Sequence, residues 1–284
     1  MVGGFIVNAG IENTQHPSTI YYDSDYPSER YSKYPENFDE TVVYQGLAHD
    51  VEKYQQLAEQ CGNSILELCC GTGRVAIPLA QAGNSVTAVD FSTELLKQFK
   101  LKLKGLENDV SRRMQLIDQD VTQLSLEKKD FDLAICAFNS LLCIADFEQQ
   151  QQTLLKVAEH IRKNGVLALD LMNPLILNLD GDSFPKPFFT RKNPHTGNEY
   201  TRFAAMGKMQ ADQKQKLYGW YDEIESDGTV KRQLYEMYWR PVFRYEIKLM
   251  LEKAGFILDK IYGGHQDEPY TDSSRKMFIQ AIKV

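Results

Sequence analysis

The sequence lacks any apolar run long enough to cross a bilayer, and its first residues lack the charged-then-apolar plan of a secretory signal. Both absences point to a cytoplasmic protein with no membrane partner. Positive charge is short as well. Lys and Arg number 32 against 39 Asp and Glu, the net charge is −7, and no basic stripe is visible. Following a phosphate backbone needs the opposite balance, so no nucleic-acid partner is expected. Cysteine is sparse and odd in number: Cys61, Cys69, Cys70, Cys136 and Cys143, with no C-x-x-C pair and no Cys/His cluster. These read as small buried hydrophobes in a reducing compartment, and no metal site is expected.

What the chain does have is centred on Ser64-Ile65-Leu66-Glu67-Leu68-Cys69-Cys70-Gly71-Thr72-Gly73-Arg74-Val75-Ala76, an apolar strand that ends in a glycine turn and opens into a helix. Gly71 and Gly73 carry no Cβ, so a ligand can lie against backbone amides there, and a helix start adds unpaired N–H groups suited to an anion. A cofactor loop is the reading. The same residues fit the G-x-G-x-x-A dinucleotide fingerprint, but Glu67 lies inside the strand and about sixty residues precede it. After a second strand at 86–89, Asp90 stands where an open α/β sheet delivers a side chain to a cleft. Its two oxygens can accept from both cis hydroxyls of a ribose. Ser92 is the better cap for the helix that follows.

Glu67-Leu68-Cys69-Cys70-Gly71-Thr72-Gly73-Arg74, followed by Val86-Thr87-Ala88-Val89-Asp90-Phe91-Ser92, resembles the first two motifs of the class I S-adenosylmethionine-dependent methyltransferases of small molecules. The resemblance covers roughly 46–173 and 241–284. It implies a Rossmann-like α/β fold, a seven-stranded mixed sheet ordered 3-2-1-4-5-7-6 with its last strand antiparallel. It also implies S-adenosylmethionine as cofactor, with S-adenosylhomocysteine as product. The loop, Glu67, Cys69, Gly71, Thr72, Gly73 and Arg74, would take the methionyl end, and Asp90 the ribose, with Phe91 against the adenine. Asp120 would meet the adenine amino group and the Val121 amide a ring nitrogen. Phe138 and Asn139, at the end of a strand over 131–138, would lie beside the sulfonium and the acceptor.

Taken in order, the chain divides into an arm (1–40), a cofactor-binding core (41–173), an insertion dense in aromatics (174–240) and a return to the core (241–284). The arm carries Tyr21, Tyr22, Tyr26, Tyr31 and Tyr34, aromatic rings with polar tips that suit a lid over a cleft or packing onto the scaffold. Spacing predicts helices over 40–60, 94–106, 149–161 and 242–254. Lysines at 97, 100, 102 and 104 read as a solvated face. In the insertion, turn signals at 193–198 and 226–228 separate strands over 200–206, 216–225 and 230–239, an antiparallel cap that would encode the acceptor.

Alternation on the last of these strands puts Glu236, Tyr238 and Arg240 on one face and Tyr235, Met237 and Trp239 on the other. A carboxylate among aromatic rings favours a cation, and Arg240 would suit an acceptor carboxylate. Tyr21, Asn139, Glu236, Tyr238 and Arg240 are therefore the substrate-binding candidates, and Tyr34 joins the cofactor set. Because the donor is already activated, no strong base is required, and Tyr22, Tyr26 and His265 are the catalytic candidates. The expectation is an N-methyltransferase of a cationic or amino-acid-like small molecule, as monomer or homodimer. O-methylation, a nicotinamide-dependent oxidoreductase and a non-catalytic binding protein are the alternatives.

Overall fold

Apolar strands alternating with one-sided helices build the larger of two sheets, as parallel crossovers require. In this computed structural model residues 16–26, 47, 49–193 and 195–284 are described. The strands are β1 (Ser64–Leu68), β2 (Ser85–Asp90), β3 (Met114–Asp118), β4 (Phe131–Cys136) and β5 (Ile161–Met172), joined late in the chain by β10 (Phe256–Tyr262) and β11 (Lys276–Lys283). Their order is β10-β11-β5-β4-β1-β2-β3, with β11 antiparallel to both neighbours and the first five parallel. This is the expected seven-stranded arrangement.

Helices cover both faces, which is why β1 and β4 are runs of buried residues instead of alternating ones. On one face, α7 (Phe147–Ala158) and α8 (Arg244–Lys253) bury Leu154, Val157, Ile247 and Leu251. On the other, α2 (Asp50–Cys61), α3 (Ala76–Gln81) and α4 (Thr93–Lys104) bury Tyr54, Leu57, Leu79, Leu96 and Phe99. Each such side chain contributes about 1.5–3 kcal/mol by leaving water. Ser92 caps α4 by accepting from the Leu95 amide at 3.3 Å. The short helices are α1 (Pro17–Asp25), α5 (Asn108–Arg112) and α6 (Ser140–Cys143).

The four-stranded antiparallel sheet comprises β6 (Lys186–Lys192), β7 (Glu199–Met206), β8 (Gln215–Ile224) and β9 (Val230–Trp239), in that order. Three of its strands match the expected ranges; β6, with a proline and a register shift, was not foreseen. One helix end also differs. The helix expected over 149–161 stops at Ala158, and Asn164, at φ +62°, falls inside β5 beside a register shift. Of the helix expected over 40–60, Asp50–Cys61 is observed, and 40–46 and 48 lie outside the described residues.

Gly73 sits at φ +85°, and a Cβ there would come within 2.3 Å of the Phe99 ring. Its missing side chain faces α4 and the core, not a ligand, which corrects the simplest view of the loop. Gly73→Ala is expected to destabilise by about 2–4 kcal/mol, from backbone strain plus overpacking. Urea denaturation checks this. With Phe99→Ala added, the loss should fall below the sum of the two single changes.

Candidate functional site

The carboxyl ends of β1, β2, β4 and β5 meet at a group of buried polar side chains. From β1, Glu67 is 2% exposed, and its Oε2 has no hydrogen-bond partner among the described residues. Burial pushes its carboxyl up to about 8, against the pull of Arg74 and of the Ala76 amide. Arg74 is itself buried and pairs with Asp50 at 2.7 Å. Asp90 accepts from the Gly71 amide at 2.8 Å and the Ser92 amide at 2.8 Å, and burial pushes its carboxyl up to about 6 despite them. The Phe91 amide also bonds it; a carboxylate has about four acceptor positions, so acceptor capacity remains for a ribose. The turn between β1 and α3 spans 71–75, with Cys69 and Gly71 at φ +54° and +57°. Helix α3 begins only at Ala76, so turn amides, not a long helix start, border the cleft.

Beside this loop, β4 leads into a turn at Phe138 and Asn139, both left-handed at φ +47° and +63°. Asn139 is held from behind: its Oδ1 accepts from the Met172 amide at 2.5 Å. Its side chain is thus committed to β5, although its backbone stays at the cleft. Cys69 shares a thiol contact with Cys136 in the core. Asp120 accepts from the Thr122 amide at 2.8 Å and caps a 3-10 turn over Val121–Gln123, and Val121 is buried in the core.

Helix α1 closes the cleft from the other side. Tyr22 lies directly on Gly71, its hydroxyl 2.7 Å from where a Cβ would be. Asp23 accepts from the Thr72 hydroxyl at 2.5 Å and from Lys102 at 2.7 Å, so Lys102 is a latch and not part of a solvated face. Tyr26 meets the Phe138 ring edge-on at 4.9 Å. The opposite side of α1 is bonded into the second sheet: Asp25 accepts from Tyr200 at 2.6 Å, Tyr221 at 2.7 Å and Arg202 at 3.1 Å. Burial drives the Tyr22 and Tyr26 phenols above their usual range. Neither is a base near neutral pH; each can donate a hydrogen bond.

Several expected site residues lie elsewhere. Tyr21 is fully buried, stacked on Tyr221 at 4.3 Å and donating to Glu223, so it anchors α1 and does not line a cleft. The face of β9 turned to α1 carries Tyr235 and Met237; Glu236 and Tyr238 are on the other, where Glu236 pairs with Lys216 at 2.5 Å. Arg240 is buried and spent on Gln150, Gln213 and Glu246. His265 lies behind the Phe138 turn, 3.4 Å from Asp170 and against Phe278. Tyr34 falls outside the described residues, as do most of the arm's positions. The expectation missed Asp23, Asp25, Lys102, Asp170, Arg202 and Lys276. A charge inside an apolar run, as in Ala168-Leu169-Asp170-Leu171, was the available signal.

The chain is similar to known methyltransferases. Residues 65–165 match the methyltransferase-domain family. The chain carries a methyltransferase domain over those residues, and its sheet has the class I fold. Cypemycin N-terminal methyltransferase of a Streptomyces species is 25% identical over 218 residues, 77% of this chain and 82% of that one. Among solved structures, the CcbJ methyltransferase of Streptomyces caelestis superposes with a TM-score of 0.69 at 20% identity, over 83% of this chain and 90% of that one. The sugar N-methyltransferase KedS8 of a Streptoalloteichus species gives 0.65 at 16% identity, over 84% and 90%. The amino pentose methyltransferase CalS10 of Micromonospora echinaspora, similar with a TM-score of 0.63 at 14% identity over 83% of this chain and 90% of that one, was solved with S-adenosylmethionine bound.

Glu67 gives this methyltransferase a pH signature. A carboxyl whose pKa is raised in the folded state stabilises fully below its unfolded value of about 4.3, and that contribution is lost as pH rises through about 8. Glu67→Gln should therefore raise the melting temperature at pH 9, and the gain should shrink steadily toward pH 5. Melting curves across that window check the sign.

Proposed function

We propose that this methyltransferase acts on an amine nitrogen of a small molecule, with helix α1 as lid and the four-stranded sheet as substrate cap. The observation that carries the reading is the wall of Tyr22, Tyr26 and Phe138 at the ends of β1 and β4. Aromatic faces attract a cationic or amine-bearing group, and phenols this deeply buried stay protonated at neutral pH. S-adenosylmethionine brings a methyl group already activated on a positive sulfur, which leaves the chain to align the partners and exclude water. An amine that arrives neutral needs no base for this. The printed names of the cypemycin and KedS8 relatives, an N-terminal and a sugar N-methyltransferase, favour nitrogen over oxygen. The earlier grounds for an amino-acid acceptor lapse with Arg240.

In this reading the cofactor's residues fit what the chain offers. Asp90 retains acceptor positions for a ribose, and the orphaned Glu67 Oε2 would receive the amino group of the methionyl end. Tyr22, Cys69, Gly71, Thr72 and Arg74 would border that end, and Phe91, Asp120 and Val121 the adenine.

Asp90→Ala should weaken S-adenosylmethionine binding by about 1.5–3 kcal/mol for each lost bond, roughly tenfold to a hundredfold, with the fold retained. Calorimetric titration reads it; unchanged affinity contradicts the assignment. For the acceptor, methyl incorporation into glycine, sarcosine, an amino sugar, a short peptide and catechol should be confined to the amines. Turnover of catechol alone would reject nitrogen as the acceptor.

A further inference from the structure

Asp170 has no exposed surface and stands in β5 between two buried leucines. An ionised carboxylate there is tolerated only with partners. Lys276 of β11 supplies one, with Nζ 2.9 Å from Oδ1, and His265 Nε2 lies 3.4 Å from Oδ2. Burial pushes the carboxyl up, but Lys276 and His265 outweigh it and hold it well below the usual range. The group is therefore a fixed anion, and beyond that pair the residue bonds the turn that follows β4 through both its side chain and its backbone. The Phe138 amide donates to Oδ2 at 3.2 Å, and the Asn139 amide donates to the Asp170 carbonyl at 2.8 Å. The Lys276 ammonium lies 5.1 Å from the centre of the Phe138 ring.

What needs holding is clear from the backbone. Phe138 and Asn139 are consecutive non-glycine residues in the left-handed region, each at a cost of about 1–2 kcal/mol. Such a turn relaxes unless its surroundings over-determine it. Its far side meets Tyr26 at 4.9 Å and the Arg74 guanidinium at 5.8 Å, which places it between the lid helix and the cofactor loop.

We propose that Asp170, paired with Lys276 and in contact with His265, is a positioning residue that clamps the Phe138–Asn139 turn and so sets the alignment of methyl donor and acceptor without touching either. The inference rests on the proposed location of the acceptor at that turn. It gives His265 a role behind the site in place of a catalytic one. The bond from Phe138 needs only an oxygen acceptor, whereas the pair with Lys276 needs the charge, and the two requirements can be separated.

Two double variants do so while leaving no lone buried charge. Asp170→Leu with Lys276→Met removes the acceptor oxygen; Asp170→Asn with Lys276→Met keeps an amide oxygen for Phe138. Amide hydrogen exchange on the full chain should be faster by about tenfold or more at 138–139 in the Leu variant, with β5 and β11 still protected, and should return toward wild type in the Asn variant. With the best amine of the acceptor panel, kcat should fall about 10–100-fold in the Leu variant while KM for S-adenosylmethionine stays within about threefold, and the Asn variant should recover most of the loss. Equal exchange at the turn in both variants, or a loss of kcat that tracks melting temperature in both, overturns the proposal. If wild type turns over no member of the panel, the acceptor reading fails, and the exchange contrast alone decides the clamp.

Discussion

Burying carboxylates along one edge of the parallel sheet is the constraint from which the site follows. Glu67, Asp90 and Asp170 sit at or near the carboxyl ends of β1, β2 and β5, each 5% exposed or less, with buried Asp50 beside them on α2. Desolvating an ionised carboxylate costs several kcal/mol, and each is stabilised by a different device. Asp50 has the Arg74 guanidinium, Asp170 has Lys276, and Asp90 has backbone amides. Glu67 is left the least satisfied, and its carboxyl rises accordingly. A strained edge with one under-served carboxylate is poor for stability and apt for a ligand that brings hydroxyls and an amine.

The same constraint shapes the lid. Helix α1 is too short to hold itself, so its position is set by what it buries. Its ion pair with Arg202 and the stacked tyrosines fasten it to the second sheet, while Asp23 and Tyr22 reach the glycine loop. Helix α1 thus ties the second sheet, remote in sequence, to the glycine loop. In the proposed function, closing over the cleft and presenting the acceptor would be a single act, the arrangement that methyl transfer needs if water is to be excluded.

The sheet was legible because its signals are local. Ile65, Leu66 and Leu68 form a buried run, Gly71 and Gly73 mark the turn, and Asp90 follows the second run at the spacing a crossover imposes. Strand order came from the resemblance and not from the residues. The acceptor side was not legible, for two reasons. Alternation on β9 separates two faces correctly but does not say which is turned inward, and Arg240 looks free until Gln150 and Glu246, distant in the chain, are brought to it. The clamp on Phe138 and Asn139 depends on Lys276, more than a hundred residues away, which no periodicity could link to them. Where function is carried by long-range pairing of polar groups, sequence pattern supplies the candidates and only packing supplies the partners.

The central claim is that one ligand bridges these carboxylates. A crystal structure of the full chain with S-adenosylhomocysteine tests it most directly. The account predicts both ribose hydroxyls on Asp90, the amino group within hydrogen-bond reach of Glu67, and Tyr22 moved off Gly71 or packed upon the ligand. Ligand density away from the ends of β1 and β2, or a ribose with no contact to Asp90, would contradict it.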